Sequence, residues 1–390
     1  KNISLVNDKI CSKNNVIMSS NKHIALVYLG EFFLDARLTN MALSLLKEKY
    51  RVTIISTDHK IMHKDLFNKI IFHRIELAKT GILKYWEFHK KVKKTLKQKQ
   101  YYAIIASDLY SLAAVTSYKK NTKKIIYDCR EIYFELAAHI KKPIHRYWNY
   151  CFEKYHLNAV QHIIVTAESD LCLLQQYYQQ KKHLNWHIIY NYPMLLQGTT
   201  SNKQSLKNFK TKISKKNINI VYQGVIQKGR GIKQLIDLAI YNKNINGIII
   251  GAGDHYKQYY NYNKQYNNNN NVCFLGAVPY IDLLHVTKEC DIGWAVIKKR
   301  GISNQLALPN KIFEYIMAGL PIFTSNLKKI KTIIEKYQIG EIIANQTIQE
   351  CDAIIQQIYK NKTQYKINLK VAAKQFNWNI QHQNFMKIIQ

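Results

Sequence analysis

The feature that most restricts the fold of this chain is a repeated alternation of short β-branched apolar runs with amphipathic stretches. In the first half the runs are HIALVYL, VTIIS, AIIAS, KIIYD, HIIVTA and HIIYN, separated by helical patterns such as Leu38–Lys49 and Tyr147–Val160. The second half repeats the rhythm with INIVYQG, GIIIGAG, VCFLGAV, DIGWAVI and PIFTSN. Near-continuous apolar strands alternating with helices imply parallel sheets covered on both faces. A chain of 390 residues holds two such doubly wound, Rossmann-like units. Ligands of these sheets bind beyond the carboxyl ends of the strands, so the cleft between the units is the expected site. The polar, lysine-rich stretch Leu196–Asn217 reads as the linker between them. The biased stretch Tyr259–Asn271 reads as a helix end and turn before Val272.

Lys and Arg total 58 against 25 acids, a formal charge of +33. That excess favours anionic partners: nucleic acid, anionic lipid or phosphorylated metabolites. The lysines are spread over both halves and no nucleic-acid module is visible, so nucleic acid is not an expected partner. The seven cysteines contain no CxxC pair and suit buried thiols in a reducing compartment, not a disulfide frame or a zinc knuckle. No apolar run approaches the roughly 20 residues of a spanning helix. The polar opening KNISLVNDKI shows no signal peptide. The expectation is a soluble, cytoplasmic, basic protein that can sit peripherally on the inner face of a membrane.

Three glycines precede residue 200 and eleven follow it, which points to the second half as the phosphate cradle. The turn GVIQKGRG (Gly224–Gly231) follows the strand Ile218–Tyr222 and precedes the helical stretch Ile232–Ala239. Such a turn aims backbone N–H groups and the positive end of a helix dipole at an anion. Gly224 and Gly229 have the spacing of a P-loop, but Arg230 and Gly231 stand where that motif needs Lys and Ser or Thr. Arg230 could grip a diphosphate with its planar fork. The same turn also reads as an ordinary connection with a solvated arginine.

In LPNKIFEYIMAGLPIF (Leu308–Phe323), Pro309 sets a helix entry and Gly319 ends the helix. Lys311 and Glu314, three residues apart, share a face of the first turn. The carboxylate could accept two ribose hydroxyls while the lysine meets phosphate. Capping logic alone favours a surface ion pair worth a few tenths of a kcal/mol. A further segment sets Tyr85, Phe88, Val92 and Leu96 in one helical stripe, surrounded by Lys84, Lys90, Lys91, Lys93, Lys94, Lys97 and Lys99. It suits an anionic membrane surface. It also describes a core-packed helix with a solvated lysine face, and that reading has the slight preference.

In order, YQG…RG, IIIGAGD, VCFLGAVP, ECDIGWAVI and LPNKIFEYIMAGLPIFTS resemble the retaining GT-B glycosyltransferases of family 4, the group 1 family. The first half is similar too, through Gly30, DARLTNMALSLLKEKYRVTIIS, KIIYDCREIYFE, HIIVTAESD and IIYNYP, and FNWNIQHQNFMKII looks like the family's terminal helix. The resemblance implies an acceptor domain at 1–195, a linker at 196–217, a donor domain at 218–370 and a helix at 371–390 returning to the first domain. It implies Arg230, Lys311 and Glu314 as the catalytic set, with Arg230 at the donor diphosphate and Glu314 at its ribose. Gly224, Gly229, Gly251, Val278, Leu308 and Asn310 would complete donor binding. Gly30, Glu31 and Arg130 would lie on the acceptor side. The family's first paired glutamate falls at Leu306, its second loop cation at Val225, and an active-site histidine often stands where Arg130 does.

The implied activity is hexosyltransferase-type transfer, with retention, from a UDP- or GDP-linked sugar to a glycan or lipid-linked acceptor in envelope polysaccharide, lipopolysaccharide or glycoconjugate synthesis. No cofactor or metal is expected, because the sequence has no DxD to hold one. The alternatives are a sugar-nucleotide epimerase or hydrolase, and a non-catalytic glycosyltransferase-like subunit.

Overall fold

A computed structural model gives the fold and describes residues 22–118, 122–135, 142–194, 209, 213, 216–298, 308–344 and 346–390. The first sheet has seven strands, β1 His23–Val27, β2 Arg51–Ser56, β3 Ile70–Arg74, β4 Tyr101–Ala106, β5 Thr122–Cys129, β6 His162–Val165 and β7 Asn185–Ile188. Its helices are α1 Ala36–Lys47, α2 Gly81–Leu96, α3 Leu109–Thr116, α4 Pro143–His156 and α5 Glu168–Tyr177. The second sheet has six strands, β8 Ile218–Gln223, β9 Ile245–Ile250, β10 Val272–Gly276, β11 Ile292–Ala295, β12 Ile322–Ser325 and β13 Gly340–Ile343. Its helices are α6 Ile232–Tyr241, α7 Tyr256–Tyr266, α8 Tyr280–Thr287, α9 Asn310–Ala318, α10 Lys328–Tyr337 and α11 Ile348–Lys360. Two more, α12 Lys362–Gln375 and α13 Trp378–Ile389, close the chain.

The strand orders are β3-β2-β1-β4-β5-β6-β7 and β10-β9-β8-β11-β12-β13, and β1 and β8 pair in parallel with both neighbours. The order reverses between β1 and β4, and again between β8 and β11. The loops after β1 and β8 therefore leave at topological switch points, where doubly wound sheets bind ligands. Along β1, Ala25 and Val27 enter one apolar layer while Ile24 and Leu26 enter the other. Burial on both faces explains the unbroken apolar runs.

Helix starts move by a few residues from their expected places. Asp35 accepts from the Leu38 N–H at 2.8 Å and starts α1 at Ala36, while Pro143 opens α4 four residues before Tyr147. The expected helix end and turn within Tyr259–Asn271 appears as α7 and the residues after it. The stripe of α2 packs inward: Phe88, Val92 and Leu96 are buried, and Tyr85 stacks on Tyr110 at 3.9 Å. That stripe cannot be the face meeting a membrane. No helix among the described residues is long and apolar enough to cross one.

The terminal helix α13 returns to the first sheet as expected. Trp378 Nε1 donates to Ser44 Oγ at 2.8 Å and His382 Nε2 lies 3.2 Å from Glu48. The two halves also meet at α8 and α10, where His63 Nε2 lies 3.0 Å from Asp282 and Lys329 Nζ donates to Ser169 Oγ at 2.9 Å. The linker at 196–217 lies almost wholly outside the described residues, and Leu306 lies outside them too.

Candidate active site

The loop after β8 is shaped by what surrounds it. Gly224 has φ +121° and its N–H donates to Ile250 O at 3.0 Å, which sets it against the loop after β9. There Gly251 has φ +140°, and a Cβ on it would stand 2.0 Å from the Gly224 carbonyl oxygen. No side chain fits between these loops. The Gly251 N–H is itself committed to Gly276 O at 2.8 Å, so this glycine serves close approach. Gly229 and then Gly231 turn the chain into α6, whose first turn has no side-chain cap. Uncapped N–H groups and the helix dipole make that end receptive to an anion.

Arg230 leaves this loop partly buried. Gln227, with its amide oxygen turned inward, accepts from Arg230 Nε and Nη2 at 3.1 Å each. Lys311 reaches the same place from α9. It is buried, and its ammonium sits 3.6 Å from the centre of the Tyr222 ring, facing Gly224. Burial, and then the nearby Arg230 charge, hold the Lys311 amine well below the ordinary lysine range, while Glu314 acts against that shift. Two basic groups thus converge on one strand end.

Glu314 does not pair with Lys311 among the described residues. It accepts a hydrogen bond from Gln223 Nε2, and Gln223 Oε1 accepts from Thr287 Oγ1 at 2.7 Å. Burial pushes the Glu314 carboxyl up, and the Gln223 bond and Lys311 pull it back. The surface-pair alternative for Lys311 and Glu314 is therefore overturned, because each side chain points to a different partner in the interior. Tyr315 anchors the helix: its hydroxyl donates to Val221 O at 2.9 Å and accepts from the Gln223 N–H at 3.2 Å. Asn310 is exposed at the first position of α9, whereas Leu308 and Val278 are partly buried against the core of the second sheet.

On the other sheet, a cavity of about 750 Å³ opens beyond β1 to β3, lined by Gly30, Glu31, Asp35, His59, Arg74 and Lys84 among others. A Cβ on Gly30 would stand 2.3 Å from the outer end of the Tyr28 ring, so glycine leaves that ring its present place. Glu31 lines the cavity 3.9 Å from His59 Nε2. Arg130 is held behind this wall. Its Nη1 donates to Asp35 at 2.5 Å and its Nε to Asp128 at 2.9 Å, with its guanidinium 5.0 Å from the Tyr28 ring. Burial works against its charge, but Asp35 and Asp128 outweigh that and raise its pKa, so it transfers no proton. Buried Asp128 also accepts from Arg37 Nε at 2.8 Å. The two halves of the site meet at Tyr280. Its buried hydroxyl accepts from the Met194 N–H at 3.4 Å and feels both Glu314 and Asp35.

Residues 203–376 match the profile of "Glycosyl transferases group 1". The chain carries a group 1 glycosyltransferase domain. Its β8 loop, α6 and α9 all lie within the matched residues. No curated protein sequence matches the chain. Solved structures extend the likeness over both halves. Sucrose-phosphate synthase of Thermosynechococcus elongatus is 13% identical with a TM-score of 0.68, covering 94% of this chain and 98% of that one. HepE of Anabaena in complex with UDP-glucose is 15% identical with a TM-score of 0.68, covering 94% and 99%. WaaG, a glycosyltransferase involved in lipopolysaccharide biosynthesis, is 12% identical with a TM-score of 0.62, again covering 94% and 99%. At these identities the likeness is one of fold, and the fold is GT-B.

Of the residues named from the sequence, the fold gathers Gly224, Gly229, Arg230, Lys311 and Glu314 around the end of β8 in the group 1 domain. Gln223, Thr287, Tyr222 and Tyr280 were not singled out. The rule that ligands sit beyond strand ends would have found Gln223, the last residue of β8. Arg37 was missed because only the fold brings it to Asp128, 91 positions away, whereas Asp128 stands two positions before Arg130 in the sequence.

Proposed function

We propose that this protein transfers a hexosyl group from a UDP- or GDP-linked sugar to a glycan or lipid-linked acceptor, with retention of configuration. Departure of the nucleotide diphosphate leaves an oxocarbenium-like sugar and gathers negative charge on the leaving group. Fixed positive groups at that diphosphate are then worth more than a strong base. Arg230, Lys311, the amides around Gly224 and Gly229 and the N-terminus of α6 supply them. Glu314, oriented by Gln223, accepts the ribose hydroxyls. The acceptor occupies the cavity beside Gly30 and Glu31; its hydroxyl oxygen bonds to the anomeric carbon on the face the leaving group vacates, and its proton passes to the departing diphosphate, without a protein nucleophile. Arg130 fixes Asp35 and Asp128 and thereby the wall of that cavity.

The observation that carries this reading is the convergence of Arg230 and buried Lys311 at Tyr222 and Gly224, since a diphosphate relieves the mutual repulsion. The UDP and UDP-glucose complexes of the HepE fold support a UDP-linked donor. WaaG and the galactosyltransferase WaaB, both named for lipopolysaccharide, support an envelope glycan acceptor.

Arg230→Ala and Glu314→Ala are each expected to abolish transfer while circular dichroism and thermal unfolding stay close to the parent. Near-normal turnover in either variant removes the site assignment. If calorimetry finds no UDP- or GDP-sugar binding to the parent protein, the non-catalytic subunit reading replaces this one.

A further inference from the structure

Two helices of the first half leave large apolar side chains in water on their opening turns. Ile82 is 77% exposed, Leu83 54% and Trp86 53% at the start of α2; Ile144 is 83% exposed, Tyr147 71% and Trp148 49% at the start of α4. These are not failed core positions, because α2 satisfies the core with its other stripe, Phe88, Val92 and Leu96.

Both helices flank α3 on one face of the sheet and run in its direction. Tyr85 stacks on Tyr110 near the start of α3, and His89 lies 3.2 Å from Ser117 just past its end. On the other flank Asn149 donates to Tyr133 O at 3.4 Å, the Tyr133 ring lies 6.4 Å from Tyr110, and His156 lies 2.7 Å from Thr116. Since α3 begins directly after β4 ends, its start marks the carboxyl edge of the sheet. The opening turns of α2 and α4 therefore project at that same edge, which is also where the cavity lies. Lys79, Thr80 and Lys84 line the cavity and belong to the approach and first turn of α2.

The charges around these tips are of one sign in effect. Lys90 and Lys79 stand 4.1 and 5.3 Å from the centre of the Trp86 ring, and Lys84 and Lys142 flank the two openings. Nearby acids are engaged within the fold: Glu87 accepts from the Ala78 and Lys79 amides and pairs with Lys91, Glu76 pairs with Arg74, and Glu135 with Arg146. Exposed aromatic and aliphatic tips interleaved with lysine on a +33 chain complement an anionic bilayer, where rings and lysine stems sit at headgroup depth.

We infer that the opening turns of α2 and α4 rest together on an anionic lipid bilayer, and that the cavity receives its acceptor from the headgroup layer beside Lys84. The second clause rests on the glycosyl-transfer reading; the docking does not. The surface differs from the α2 stripe suggested by sequence periodicity, which faces the core.

The test uses the full chain and vesicles of phosphatidylcholine with and without phosphatidylglycerol. The parent should sediment with the phosphatidylglycerol vesicles only, release them as salt rises, and show blue-shifted tryptophan emission when bound. Ile82→Ser/Trp86→Ser/Ile144→Ser should weaken binding at least about tenfold, with the donor-induced thermal shift unchanged. Amine labelling of Lys84 should fall on the vesicles for the parent and not for the triple variant. Equal binding by the triple variant, or no binding by the parent, overturns the docking. So does a concentration-dependent dimer without lipid that the triple variant abolishes, since a second copy would then cover this edge. Unchanged labelling of Lys84 on bound vesicles overturns acceptor delivery. Vesicle binding without any donor-induced thermal shift sinks the transfer reading and leaves the docking standing.

Discussion

Replacing Lys311 by Met separates the stability of the fold from its chemistry. Lys311 is buried, with its ammonium over Tyr222 and a second cation, Arg230, nearby. Burial and that neighbour lower its pKa in the folded state below the 10.5 of a free lysine. The unfolded chain therefore binds the proton more tightly, and the ammonium opposes folding. The penalty is complete below the folded pKa and fades as pH rises toward the unfolded value. The ring contact returns about 0.5–2 kcal/mol of it. Methionine keeps much of the length without the charge, so Lys311→Met should stabilise the free protein by about 1–2 kcal/mol near neutral pH. For a domain of this size that is about 2–6 °C in Tm. Transfer should fall by about 10²–10³. The assays are thermal unfolding from neutral to alkaline pH and release of nucleotide diphosphate. The gain in Tm should shrink as pH rises. A destabilised variant that turns over normally, or a gain that grows with pH, refutes the reasoning.

Arg130→Met leaves Asp35 and Asp128 facing each other with only Arg37 to compensate. Urea unfolding should show a loss of about 3–5 kcal/mol, and an unchanged midpoint would mean that Arg130 does not hold that wall. Transfer should persist in EDTA, because the proposed cations are side chains and amides; loss that magnesium or manganese restores would contradict them.

Much of this was legible because the signals are local. Apolar runs marked the inner strands, and Pro309 and Gly319 bracket α9 as their chemistry dictates, Gly319 closing it at φ +74°. The missed strands, Ile70–Arg74 and Gly340–Ile343, are the outer edges of their sheets, where partial exposure admits His73, Arg74 and Glu341 and dilutes the pattern. Gln223 was illegible as the partner of Glu314, since 91 positions separate them and only parallel topology joins them. Helical spacing rightly put Lys311 and Glu314 on one turn but could not tell that Tyr222 and Gln223 would draw them apart. On α2, periodicity could not distinguish a core stripe from a membrane stripe, and burial decided for the core.

The most direct measurement is a crystal structure of the protein with an intact nucleotide-sugar donor or its nucleotide diphosphate. The account predicts the pyrophosphate within hydrogen-bonding distance of Arg230 and Lys311, against the amides beginning at Gly224, with the ribose on Glu314. A pyrophosphate bound away from both cations would contradict it.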